Sequence, residues 1–203
     1  TDCGIVLSND LDEYTIKSIR DQGAQVMSWG VGTKLATAYD QPSLGGVYKL
    51  SATRASSDDA WSARLKVSEQ SSKLTLPGVL DVRRYRFSDG RLAGDMVFDV
   101  NESIDENGTI IDPADLLRCK ELGGLEYETL LAPLARAGES VLPDEERSAQ
   151  AARGRTIEGL RHLDESQKRF LNPHSYPVGL EAGLWHRRAE MAASLRAART
   201  PLR

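Results

Sequence analysis

Ile5-Val6-Leu7-Ser8-Asn9-Asp10-Leu11-Asp12-Glu13 and Gln25-Val26-Met27-Ser28-Trp29-Gly30-Val31-Gly32-Thr33 stand about twenty residues apart at the start of the chain. Ile5-Val6-Leu7 reads as a short buried strand and Gln25 to Trp29 as a second one. Between them the spacing predicts a helix from about Leu11 to Asp21, with Ile16 and Ile19 inward and a stop at Gly23. Asp10 and Glu13 have the separation of a capping box, with Asp in place of Ser or Thr. Strand, helix and strand in that order make a βαβ unit with a parallel pair.

Working outward, Lys34 to Tyr39 reads as a short helix, Asp40-Gln41-Pro42 as a turn, and Gly46-Val47-Tyr48-Lys49-Leu50 as a third strand. This is the rhythm of the last units of a β/α barrel, with too few units to close one. The first residues, Thr1-Asp2-Cys3-Gly4, run directly into an apolar strand without an initiator Met, so the chain is expected to start mid-fold. After Ser57 the composition changes. Trp61 to Val67, Val79 to Phe87 and Leu92 to Val100 alternate as antiparallel strands, parted by turns at Pro77-Gly78 and Ser88-Asp89-Gly90. From Pro113 onward the reading is mainly helical, with a long helix from Asp144 to about Leu163 and a last one from about Gly179 to Ala198. The expected division is therefore 1–57, the barrel units, and 58–203, with antiparallel strands over about 60–100 and helices over about 113–198.

The 203 residues carry 40% hydrophobic and 28% charged side chains, the balance of a folded globular protein. A net charge of −4 with no basic stripe argues against a nucleic-acid surface. No apolar run approaches the ~20 residues of a membrane span and no signal peptide opens the chain, so cytoplasm is the expected location. Cys3 and Cys119 stand far apart without a CxxC or a nearby pair of His, so neither a zinc site nor a disulfide framework is indicated. His162, His174 and His186 have no partnered carboxylate pattern, and no Ser-His-Asp arrangement is present.

Three places have the chemistry of an anion site. Gly30-Val31-Gly32-Thr33 leaves a strand and opens a helix, where glycine backbone N–H groups approach an anion closely and a hydroxyl adds one further bond. The same four residues also make a plain tight turn. Ser8-Asn9-Asp10 occupies the same edge one strand earlier, either as ligands for ribose hydroxyls and metal-bound water or as an N-cap cluster. Lys49 stands within an apolar strand, and either serves an anion beside the glycine loop or reaches the sheet edge. Lys66, Lys73 and Arg83-Arg84-Tyr85-Arg86 add positive charge of the kind that usually marks the wet face of a strand.

Taken together, Ser8 to Glu13, Trp29-Gly30-Val31-Gly32-Thr33-Lys34-Leu35 and Leu44-Gly45-Gly46-Val47-Tyr48-Lys49-Leu50 resemble the C-terminal half of nicotinate phosphoribosyltransferases. Lys73-Leu74-Thr75-Leu76-Pro77-Gly78 and Asn172-Pro173-His174-Ser175-Tyr176-Pro177-Val178-Gly179-Leu180 extend the resemblance over nearly the whole chain. It implies an α/β fold, the C-terminal part of an irregular TIM-like barrel followed by an α+β region with antiparallel strands and C-terminal helices. It implies an enzyme that forms nicotinate mononucleotide from nicotinate and phosphoribosyl pyrophosphate with ATP hydrolysis, in NAD salvage, with Mg2+ on the pyrophosphate and ATP as co-substrate. By resemblance Ser8, Asn9 and Asp10 lie at the ribose and pyrophosphate, Gly30, Gly32 and Thr33 at the 5′-phosphate, and Lys49 along the phosphate channel. No catalytic residue and no protein metal ligand is assigned to this chain. The family's Arg-Leu-Asp-Ser-Gly-Asp strand, its phosphorylated His and its ring-stacking residues are expected upstream, in a missing N-terminal half or a partner chain, within a homodimer. The alternatives are a catalytically silent phosphate-binding or regulatory fragment, or a transferase acting on nicotinamide or quinolinate.

Overall fold

The structure is a computed structural model that describes residues 3–43, 45–67 and 74–198. Thr1, Asp2, Leu44 and Lys73, and the end of the Ala/Arg stretch from 199, lie outside the described residues. The chain divides into two compact units, Thr1–Tyr48 and Lys49–Arg203. Among the described residues no helix is long and apolar enough to cross a membrane.

In the first unit, β1 (Val6–Ser8) pairs in parallel with β2 (Ser28–Gly30), setting Val6 opposite Ser28, Leu7 opposite Trp29 and Ser8 opposite Gly30. The connecting helix α1 spans Glu13–Asp21. Its N-cap is Asp12, which accepts the Thr15 N–H at 2.7 Å, and not Asp10. The physical reason is backbone geometry: an N-cap needs extended angles, which Asp12 has, whereas Asp10 has φ +48. Helix α1 closes with the paired bonds of a Schellman end, Gly23 N–H to the Arg20 carbonyl at 2.9 Å and Ala24 N–H to the Ile19 carbonyl at 3.3 Å. Leu11 is buried, and Ile16 and Ile19 are half-buried, as their spacing predicts. Helix α2 covers only Thr33–Ala36 and gives way to a turn in which Ala38 has φ +46. Gly46 to Leu50 form no strand, since no described strand pairs with them; Tyr48 is 99% exposed.

The second unit opens with a two-residue antiparallel pair, β3 (Ala52–Thr53) and β4 (Ser62–Ala63), all that forms of the strand expected over Trp61 to Val67. Its body is a six-stranded sheet of β5 (Leu80–Arg86), β6 (Leu92–Asp99), β7 (Thr109–Ile111), β8 (Cys119–Glu121), β9 (Glu126–Thr129) and β12 (Val178–Glu181). The order is β8-β7-β12-β6-β5-β9, with β12 parallel to β6 and antiparallel to β7, so the sheet is mixed. β5 and β6 are the predicted antiparallel pair. Tyr85, Ala93, Met96, Phe98, Ile110 and Leu122 make its core.

The region after Pro113 is not mainly helical. Besides β8 and β9 it holds a small hairpin, β10 (Ala135–Arg136) and β11 (Glu139–Ser140), whose two-residue turn Ala137-Gly138 has φ +49 and +85. Ala in a left-handed position carries none of the usual Asn or Gly signal, which is why the sequence does not announce the turn. The long helix expected from Asp144 is broken in two, α3 (Asp144–Arg147) and α4 (Ala149–Arg161). Between them Ser148 takes extended angles and accepts the Ala151 N–H at 3.1 Å, the bond a serine makes best at a helix start. The last helix, α5, runs Ala182–Ala197 rather than from Gly179. Burial of Gly179 to Glu181 between two strands outweighs helical periodicity there, and Glu181 then caps α5 through the Leu184 N–H at 2.9 Å.

Candidate functional site

Parallel pairing of β1 and β2 brings the ends of both strands level. Ser8 faces Gly30 across the pair, so Ser8-Asn9-Asp10 and Gly30-Val31-Gly32-Thr33 leave the sheet at one edge. Glycine at 30 eases this approach: a Cβ there would lie 3.0 Å from Ser8 Cβ, close enough that Ser8 would have to give by a few tenths of an ångström. Gly32 differs. A Cβ on it would meet nothing within 4 Å, so no neighbour in this chain demands a glycine. Gly32 is the N-cap of α2 and has no side chain to satisfy the first N–H groups, which point out from the helix start without a preceding carbonyl.

Asn9 and Asp10 have φ +88 and +48, a left-handed pair in sequence. Asn and Asp tolerate this better than other side chains, yet such angles cost on the order of 1–3 kcal/mol each and collect where function holds them. Just beyond, Asp12 Oδ2 accepts Lys34 Nζ at 2.5 Å, tying the loop after β1 to the helix after β2. Lys34 first, then Thr15, holds the Asp12 carboxyl far below the usual carboxylate range. Asp12 in turn raises the Lys34 ammonium, and the charges of Asp40 and Asp10 add to it. Both residues stand in the sequence stretches quoted above, where a helix cap and a helix lysine carry no distinctive signal. A cleft of about 560 Å³ beside the loops is walled by Asp12, Val31, Lys34, Leu35 and Tyr39 among others.

The structure thus brings Ser8, Asn9, Asp10, Gly30, Gly32 and Thr33 to one edge of the first unit. Lys49 is exposed and belongs to the second unit, in a stretch without regular structure. The arginines of β5 are engaged and do not form a free basic patch. Arg84 pairs with Asp95 at 2.7 Å, Arg86 with Glu128 at 2.5 Å, and Arg83 stacks on the rings of Tyr127 and Phe98 at 4.2 and 4.8 Å. Among the described residues no three His, Cys, Asp or Glu side chains gather as a metal cage, and both cysteines are free and exposed.

Residues 81–188, from β5 to the middle of α5, match the family model described as the nicotinate phosphoribosyltransferase C-terminal domain. The chain belongs to the nicotinate phosphoribosyltransferase family. The nicotinate phosphoribosyltransferase of Bacillus subtilis is 32% identical over 188 residues, which cover 91% of this chain and 38% of that protein. The human one is 31% identical over 183 residues, covering 89% of this chain and 32% of its own length. The crystal structure of human nicotinic acid phosphoribosyltransferase superposes with a TM-score of 0.59 at 25% identity, over 95% of this chain and 33% of that one. The mixed sheet and C-terminal helices are therefore shared with a member of the nicotinate phosphoribosyltransferase family, and the chain spans about a third of the length of these relatives.

Proposed function

We propose that this chain forms the C-terminal part of an enzyme that makes nicotinate mononucleotide from nicotinate and phosphoribosyl pyrophosphate with ATP hydrolysis, for NAD salvage. Its first unit holds the sugar phosphate. One observation carries the assignment: the register that sets Ser8 opposite Gly30, and so gathers a left-handed Asn-Asp loop and a glycine loop at the C-terminal edge of a parallel pair. That edge is where α/β enzymes and barrels bind ligands. The pair is then part of an irregular β/α barrel completed by the rest of the length that the relatives have.

In this reading the backbone N–H groups of Gly32 and Thr33 and the Thr33 hydroxyl donate to the 5′-phosphate, which fits the open space over Gly32. Ser8 and Asn9 bond the ribose hydroxyls, and Asp10 accepts from water on the Mg2+ that arrives with the pyrophosphate, a cation that keeps several waters. The residues that choose the base and receive phosphate from ATP belong to the upstream part.

The test uses the enzyme assembled with that upstream part, supplied with Mg2+ and phosphoribosyl pyrophosphate. Nicotinate, nicotinamide and quinolinate are each offered with and without ATP, and mononucleotide is separated by chromatography. The expected product comes from nicotinate and rises with ATP. Product from nicotinamide or quinolinate alone assigns a different transferase, and phosphoribosyl pyrophosphate binding without turnover assigns a silent fragment.

A further inference from the structure

Within the first unit the loop after β1 and the loop after β2 are fastened to each other at two points. At the sheet, Ser8 stands opposite Gly30 in the parallel register. On the far side, Asp12 Oδ2 accepts Lys34 Nζ at 2.5 Å. Between those points lie Asn9, Asp10 and Leu11 on one side and Val31, Gly32 and Thr33 on the other, so the two loops close a ring. Leu11, 5% exposed, anchors the first of them from within.

Each end of the tie is itself held. The other carboxylate oxygen of Asp12 accepts the Thr15 N–H at 2.7 Å, and its backbone carbonyl accepts the Ile16 N–H at 2.9 Å, so Asp12 is fixed to α1 twice over. The Lys34 ammonium stands 5.7 Å from the centre of the Tyr39 ring, and the Tyr39 N–H donates to the Lys34 carbonyl at 3.1 Å. The Asp12 side chain is 15% exposed and that of Lys34 32%, so water screens this pair less than one on an open surface. Helix α2 has four residues, too few to hold its own start by helical bonding. The left-handed angles of Asn9 and Asp10, φ +88 and +48, persist only where the surroundings over-determine the backbone. The register at Ser8 does this on the inner side, and the tie to Lys34 on the outer.

We propose that Asp12 and Lys34 are positioning residues for phosphoribosyl pyrophosphate. Their ion pair locks Ser8-Asn9-Asp10 to Gly30-Val31-Gly32-Thr33, so that the groups for the ribose and the groups for the 5′-phosphate keep one spacing. Lys34 does not serve the phosphate directly, because the carboxylate against it offsets the charge an anion would feel. The inference rests on the reading of these two loops given above.

In the assembled enzyme with Mg2+, Lys34→Met should raise the KM for phosphoribosyl pyrophosphate about five-fold and leave kcat and the KM for nicotinate within about two-fold. Asp12→Asn keeps an oxygen for the Thr15 cap and should do the same, and the double variant should be no worse than either, since a single tie is lost in all three. Lys34→Arg should recover most of the affinity, because a guanidinium still pairs the Asp12 carboxylate. Lys17→Gln breaks the exposed Lys17–Asp21 pair on the same helix and should leave every constant at the parent value. A loss in Lys34→Met without one in Asp12→Asn makes Lys34 a direct phosphate ligand and overturns the proposal, and so do additive losses in the double variant. Hydrogen–deuterium exchange read by mass spectrometry, without substrate, gives a second measure. Peptides covering 8–12 and 30–35 should exchange faster in both single variants, with β5 and β6 at the parent rate, and parent-like exchange there overturns the lock whatever the KM does. Faster exchange with an unchanged KM overturns the positioning role alone if Gly32→Val still weakens phosphoribosyl pyrophosphate; if Gly32→Val is also without effect, the reading of the loops fails and the inference with it.

Discussion

Tyr176→Phe removes one hydroxyl from the Asn172 to Leu180 segment and leaves the ring in place. That hydroxyl donates to Asp95 Oδ1 at 2.8 Å. Asp95, 7% exposed, also accepts Arg84 Nε on the same oxygen at 2.9 Å and Arg84 Nη2 on the other at 2.7 Å, across the β5–β6 register. A hydrogen bond to a charged group contributes about 1.5–3 kcal/mol net. Because Arg84 still pairs the carboxylate and no cavity opens, the loss should fall at the lower end, about 1.5–2 kcal/mol. For a chain of this size that is a fall in Tm of about 3–8 °C. Asp95→Ala strands both the guanidinium and the phenol, and should cost about 3–5 kcal/mol. Urea unfolding followed by near-ultraviolet circular dichroism measures both. Burial first, and then Asp95, pushes the Tyr176 phenol well above the ordinary tyrosine range. A raised folded value means stability present below about pH 10 and lost as pH rises past it, so the parent should show an alkaline loss that the Phe variant lacks. A Phe variant within about 0.5 kcal/mol of the parent, or an Ala variant no worse than Phe, would refute the claim that this segment is anchored on a buried anion.

Two further outcomes are expected. In the assembled enzyme Gly32→Val should weaken phosphoribosyl pyrophosphate about ten- to a hundred-fold and nicotinate much less, with Thr33→Ala the milder because its N–H remains; unchanged calorimetric affinity in a folded Gly32→Val protein would make the loop a plain turn. Stability should also fall in acid. Ser166 and then Arg91 lower the Asp164 carboxyl to about 2, and at Asp99 burial works upward but the bonds from Asn101 and Arg187 outweigh it. Lowered folded values mean stability present above the unfolded value near pH 4 and lost as pH falls toward 2, so melting temperature should drop over that window, and a rise on acidification contradicts the assignment.

What the sequence made legible was local. The β1-α1-β2 order follows from two apolar stretches and one helical period, although Ile5 and Val6 stay exposed instead of buried and the second strand forms at Ser28–Gly30 and not from Gln25; β5 and β6 follow from alternation flanked by Gly78 and Gly90. Ser8 and Gly30 fall at one edge on sequence alone because parallel strands linked by a helix end on the same side. What it hid was decided by partners far along the chain. Val178 to Glu181 have the apolar content of a helix start, and only β6 and β7 make them a strand. Lys49 lies in an apolar run that finds no described strand to pair with. Arg187 and Arg188 look like solvated residues of an Ala/Arg helix, since nothing in their spacing reveals Asp99 or the carbonyls they bond. The Asp12–Lys34 tie was within reach, as both residues stand within the stretches that form the two loops.

The place of β12 bears on how the protein is made. The strand between β7 and β6 is the last of the six to leave the ribosome, some eighty residues after β6. Without β12 the order leaves two pieces, β8-β7 and β6-β5-β9, each with an edge that β12 would pair. Those two edges are a waiting slot for one four-residue ribbon, and any strand of suitable register from a neighbouring chain competes for it. A chain stopped anywhere before Val178 keeps the slot open, so arrival of Val178–Glu181 is the step that turns a pair of sticky fragments into a single sheet.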